Sequence, residues 1–164
     1  MRAQEVLTLF EYHCWANTRL LEKYAELENQ FTDDGGSLTP LRATLAHILD
    51  ADTAWRGIYQ TGDDPPELSP DDFPDAGSLD RGFKQEEQEW RSFLGKIDDS
   101  DLDKDMEWTN PLEERTARPL WQVIFHVFNH GTQHRTEVAA ALTEHGASPG
   151  DLDFLLFLWE RDHA

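Results

Sequence analysis

Four stretches of the sequence place apolar side chains at three- and four-residue intervals, which puts each set on one face of a helix. Such stripes leave water only when several long helices pack side by side. From Ala3 to Asn29 the stripe is Val6, Leu9, Phe10, Leu20, Leu21 and Tyr24. From Leu38 to Gln60, with Ser37 as the expected N-cap, it is Leu41, Leu45, Ile48, Asp52 and Trp55. A third stretch repeats Leu79, Phe83, Glu86, Trp90, Phe93, Leu94 and Ile97, then dissolves into the acidic run DDSDLDKD. The fourth opens at Pro119, a residue suited to a first helical turn. It continues through Leu120, Val123, Ile124, Val127, Phe128, Val138 and Leu142 to an end near Gly146.

The connections carry the opposite chemistry. The run TGDDPPELSPDDFPDAG over 61–77 is dense in Pro, Gly and Asp, which remove backbone donors and favour turns, so it reads as one long surface connection. Met106 to Arg118 has no helical stripe and reads as an extended excursion or short hairpin. Beyond Pro149 a short closing helix is expected over Leu152 to Trp159. The pattern predicts an all-α chain: an antiparallel four-helix bundle with a short extra C-terminal helix, forming one domain over residues 1–164.

Charge narrows the partners. Asp and Glu number 33 against 14 Lys and Arg, a net charge of -19. Nucleic acid and anionic lipid both call for clustered cations, so neither is expected as a partner. The first residues lack the basic and apolar regions of a leader, and no stretch is apolar enough for a membrane span; a soluble, cytoplasmic protein is expected. Lysine is scarce and Asp abundant, a surface suited to solubility in high salt. The single cysteine, Cys14, rules out an intramolecular disulfide and a cysteine-based zinc site. Beside Trp15 in a helical stretch it reads as buried and inert.

Any metal site must then use histidines and carboxylates. In HVFNHGTQHR, His126, His130 and His134 follow one another at four-residue intervals on one helical face. Two imidazoles so spaced can reach one ion at roughly 2.0–2.1 Å. A third ligand must come from another helix, and His47, flanked at helical spacing by the small Ala51 and Ala54, is the candidate. Three neutral imidazoles without a thiolate suit a divalent transition metal ion better than Mg or Ca. On spacing alone the other reading also stands: helical histidines on the surface, or bonded to carbonyls in the core.

Of the remaining polar residues, His126 is assigned a supporting or packing role, since two turns separate it from His134. His13 and Asn17 interrupt the first stripe and either line a pocket or reach solvent at its edge. Glu137 and Asp52 are candidates for orienting a ligand histidine, although each also reads as a solvated helix charge. Arg135 reads as a surface salt bridge, with attraction of a substrate carboxylate as the alternative. Trp55, Trp90, Trp121 and Trp159 read as packing residues, His145 as a helix C-terminal residue, and His163 as part of a disordered end.

The stretches FEYHCWANTRLL, LRATLAHILDADTAWRGIYQTGD, LWQVIFHVFNHGTQHRTEVAAAL and PGDLDFLLFL, in this order, resemble the DinB family. The WAN, LAHI and NHxxxHR motifs carry the likeness. It implies a four-helix bundle holding a metal through three histidines, which map onto His47, His130 and His134, with Zn or Ni as the first candidates. It also implies a homodimer and a small-molecule substrate or low-molecular-weight thiol as partner, because characterised relatives include metal-dependent, thiol-using transferases and an isomerase. The chain departs from the family's HRGQ continuation, with Thr136 and Glu137 in the last two places, and His13 stands where a smaller polar residue is usual. Both departures touch the pocket, so the substrate is not carried over. The resulting expectation is a metal-dependent transferase or hydrolase acting on small molecules, the alternative being a non-enzymatic metal-binding stress-response or ligand-sequestering protein.

Overall fold

A computed structural model describes residues 1–30, 38–110 and 112–164. Four long helices, α1 (Ala3–Gln30), α2 (Thr39–Thr61), α3 (Ala76–Leu94) and α5 (Leu120–Glu144), dominate it. Between them lie the one-turn α4 (Asp99–Leu102) and the strands β1 (Asp105–Thr109) and β2 (Arg115–Pro119); α6 (Phe154–His163) follows α5. The all-helical class expected from the stripes is what the chain adopts. The N-cap expected at Ser37 lies outside the described residues.

Each long helix packs against two others: α1 against α3 and α5, and α2 against α3 and α5. Cross-helix contacts give the directions. Glu28 near the end of α1 accepts from the Ala76 N–H that starts α3, so this pair is antiparallel. His47 and Trp55 of α2 meet His134 and His126 of α5 in reversed order, so that pair is antiparallel too. Leu49 lies against Gly82 while Tyr59 meets Phe93, so α2 and α3 run parallel, as do α1 and α5. The long 61–77 connection makes the parallel α2–α3 pair possible, because it carries the chain back along the bundle before α3 begins. It is mostly exposed as far as Asp75, the surface path expected from its composition, and holds a single 3-10 turn, Pro70–Asp72.

Local chemistry fixes the helix ends. Asp75 and Ser78 form a reciprocal capping box at the start of α3, an arrangement in which an N-cap is typically worth about 1 kcal/mol. Gly62, at φ 81°, closes α2 by returning its N–H to the Ile58 carbonyl, in a left-handed conformation that penalises any side chain with a Cβ. The segment left open between excursion and hairpin is a hairpin, paired from Asp105↔Pro119 to Thr109↔Arg115. The Asn110 side-chain oxygen accepts from the Leu112 and Glu114 N–H groups across its turn.

The C-terminus departs from expectation. The closing helix runs on through His163, whose Nδ1 bonds the Trp159 carbonyl; it is helix rather than a disordered end. Trp159 is 60 % exposed and stacks on His163, so it is not a core residue as its apolarity suggested. What holds α6 is its other face: Glu160 accepts from Trp15 and Arg19, and Phe154 and Phe157 pack on Tyr12. No helix among the described residues is long and apolar enough to cross a membrane.

The apolar core divides in two. One part gathers Leu20, Tyr24, Leu27, Leu45, Ile48, Leu79 and Leu142; the other gathers Val6, Phe10, Trp90, Phe93, Leu120, Ile124 and Phe128. Polar residues stand between them, and the site is built around that level.

Candidate metal centre

At the middle of α5 the chain presents two faces of different character. One face carries Gly131 and Arg135 into the interior, where Arg135 is only 2 % exposed. Arginine only donates, so its Nη1, 2.9 Å from His13 Nδ1, makes that nitrogen the acceptor. The proton of neutral His13 then sits on Nε2, which donates to Asp52 Oδ2 at 2.8 Å. Arg135 also donates to Asn17 Oδ1 and Thr132 Oγ1, and the Asp52 carbonyl accepts from the Trp90 indole. A buried cation and a buried carboxylate are therefore joined through one imidazole, across all four long helices. Burial pulls the Arg135 pKa down, yet a guanidinium remains charged in a protein.

Gly131 is what lets His13 in. A Cβ at position 131 would stand 2.6 Å from His13 Cε1 and 2.8 Å from Arg135 Nη1. Arg135 is thus a buried group bonded within the core rather than a surface salt bridge, and His13 and Asn17 do not reach solvent. Asp52 is buried, paired to His13 rather than to a ligand histidine.

The other face carries His130 and His134, and His47 approaches from α2. The three ring centroids lie 4.5–5.0 Å apart. One ligand atom from each can be chosen so that all lie within 4.8 Å of one another, a group that could hold a metal ion. His130 Nε2 and His134 Nε2 are 3.1 Å apart. Bonds of 2.0–2.1 Å at tetrahedral angles set two ligand nitrogens about 3.3 Å apart, so this edge is already close to a zinc-like geometry.

The protonation pattern fits as well. His134 Nδ1 lies 2.8 Å from Glu137 Oε2, and a carboxylate can only accept, so the proton is on Nδ1 and the Nε2 lone pair points at the other histidines. Glu137, expected more as a solvated charge, is exposed and also bonds His134. Burial and the neighbouring His134, His47 and His126 push the His130 pKa down to about 4, so this imidazole is neutral at pH 7, the form that ligates. Its Nδ1 is buried with no hydrogen-bonding partner among the described residues, a costly state for a ring nitrogen. His47 is exposed, so the group opens to solvent on the α2 side.

His126 stands off this group, 5.9 Å from His130, with its ring edge-on to Trp55. It belongs to a neighbouring pocket of about 320 Å³ lined by Trp55, Trp108, Arg118, Gln122, Val123 and His126. Trp108 and Arg118, which lie on no helical stripe, reach this pocket through the hairpin. Burial pushes the Cys14 thiol up, away from the reactive thiolate, in line with an inert cysteine. His145, as expected, caps α5, its Nδ1 against the Ala141 carbonyl.

Comparison with known proteins bears on the whole chain: the model of the DinB family matches residues 1–163. The chain belongs to the DinB family. It is 24 % identical over 160 residues to Protein DinB of Bacillus subtilis (strain 168), covering 92 % of each chain. Within this DinB chain, the histidines of the LAHI and NHxxxHR motifs are the ones that meet at the α2–α5 contact.

Proposed function

We propose that this DinB protein binds one divalent transition metal ion, Zn or Ni, through His47, His130 and His134. We further propose that the centre serves a transferase or hydrolase reaction on a small molecule, with a low-molecular-weight thiol as co-substrate. The observation that carries the reading is the convergence of three imidazoles from two helices, with no fourth protein donor in the group among the described residues and with its rim open at His47. Three protein ligands are the pattern of metal sites that keep a position for water or substrate, whereas closed structural sites use four. A bound ion supplies Lewis acidity there, lowering the pKa of a thiol or water.

The chain's own residues do the rest. Glu137 fixes the His134 tautomer, burial keeps His130 uncharged, and the exposed edge of His47 leaves an approach for substrate. The net charge of -19 disfavours nucleic acid as the substrate.

The test is the metal content of untagged protein by elemental analysis, for wild type, His47→Ala and His134→Ala. About one equivalent per chain, lost in both variants while their helical circular dichroism is kept, is the expected result. A wild type that is metal-free and takes up neither Zn nor Ni sinks the reading. Metal-dependent thiol turnover separates an enzyme from a protein that only sequesters.

A further inference from the structure

The pocket beside the histidine group is electrostatically out of character with the rest of the molecule. In a chain of net charge -19, its lining holds no Asp or Glu and does hold Arg118. The three other cavities described all carry carboxylates: Asp52, Asp80, Glu86 and Glu87 in one, Glu11 and Glu87 in the second, Asp151 in the third. Arg118 makes no ion pair among the described residues. The one hydrogen bond of its guanidinium there is to the carbonyl of its neighbour Ala117, at 2.7 Å, which leaves most of the guanidinium's donors uncommitted.

The walls are aromatic. Trp55 and Trp108 meet edge to face, with centroids 5.3 Å apart at 83°, and His126 closes on Trp55 at 5.5 Å and 76°. Perpendicular rings leave flat faces on which a planar body can stack. The volume of about 320 Å³ is at the small end of ligand pockets. His126 lies one helical turn from His130, so a molecule seated here abuts the histidine group.

We propose that this pocket binds a small aromatic carboxylate, its ring against Trp55 and Trp108 and its carboxylate on Arg118. As the substrate class of the metal centre, this rests on the proposed function; as a binding site, it stands on the pocket alone. The local absence of acid makes the assignment selective. An anion repelled by most of the surface meets here a cation without a competing carboxylate. Gln122 adds an amide to the lining that can serve the same oxygens.

The experiment titrates the full chain, incubated with Zn, with benzoate and with its neutral counterpart benzamide, followed by tryptophan fluorescence and calorimetry. It is repeated for Arg118→Gln and for His134→Ala, with circular dichroism to check folding. The expected result is benzoate binding about tenfold or more tighter than benzamide, with that preference erased in Arg118→Gln and kept in His134→Ala. No saturable benzoate binding, or binding unchanged by Arg118→Gln, overturns the proposal. Binding lost in His134→Ala but kept in Arg118→Gln puts the carboxylate on the metal instead, which overturns the pocket assignment and upholds the metal centre. A wild type that takes up no Zn yet binds benzoate through Arg118 has the opposite meaning: the pocket stands and the metal reading falls.

Discussion

Two polar clusters share the middle of α5, a few residues apart, and treat histidine in opposite ways. In the interior, both ring nitrogens of His13 are bonded, one to Asp52 and one to Arg135. At the rim, His130 and His134 turn their Nε2 atoms toward each other, and the remaining nitrogen of His130 has no hydrogen-bonding partner among the described residues. A buried polar group is normally satisfied, and a satisfied network tells of structure. Three imidazoles gathered where His47 is exposed, with one buried ring nitrogen left unpaired, are a group that could hold an ion. The same residue type thus specifies the core in one place and offers chemistry in the other.

The contrast breaks first at its buried half. Arg135→Ala leaves Asp52 without its cation in the interior, and a loss of about 3–5 kcal/mol is expected by urea unfolding. Replacing Arg135, His13 and Asp52 together with Met and Leu should recover most of that loss, since an apolar set of similar volume avoids the desolvation cost. If the triple variant is no better than the single one, the network does more than satisfy itself.

A smaller effect is expected from Gly131→Ala, whose new Cβ meets His13 at 2.6 Å. Overpacking of this kind costs about 1–3 kcal/mol, again read by urea unfolding. Pairing it with His13→Ala should relieve the His13 part of the clash and leave the 2.8 Å approach to Arg135 Nη1, a coupling that a double-mutant cycle measures directly.

At the rim the expectation is the reverse. Glu137→Ala should leave stability within about 0.5 kcal/mol, because the side chain is exposed. It should weaken metal affinity about 10- to 100-fold, measured by competition with a chelator. Equal affinity in the variant would remove Glu137 from any orienting role.

The stripes made the helices legible, but their phase held more than the apolar residues alone convey. In α1 the buried positions Val6, Phe10, His13, Asn17, Leu20, Tyr24 and Leu27 alternate steps of four and three. Asp52 falls on the same kind of series in α2, Glu86 in α3 and Arg135 in α5. A polar residue in phase with the core is a buried residue with a partner elsewhere, and Glu86 is bound in the same way, to Arg56. Reading Arg135 as a surface residue overlooked that phase.

His47, His130 and His134 are each one position out of phase, beside the core residues Ile48, Gly131 and Arg135. That offset takes them to the rim, while their four-residue spacing was visible in the sequence. Pairing across helices was not visible, because spacing along one helix says nothing about which residue of another will face it. For the same reason Trp108 and Arg118, delivered by a hairpin with no stripe, could not be assigned to a pocket. Trp159 departs from the expected core position because a helix docked along one side leaves even a tryptophan in water on the other.

The interior network also has a temporal side. His13 is 39 residues from Asp52 and 122 from Arg135 along the chain, so its last connection closes about three quarters of the 164-residue sequence into a loop. Contacts so distant form only after a large loss of chain freedom, and they slow folding relative to local ones. During synthesis, α1, α2 and α3 leave the ribosome carrying a carboxylate and an imidazole that await their guanidinium. The core of this protein can reach its final order only when α5 has been made.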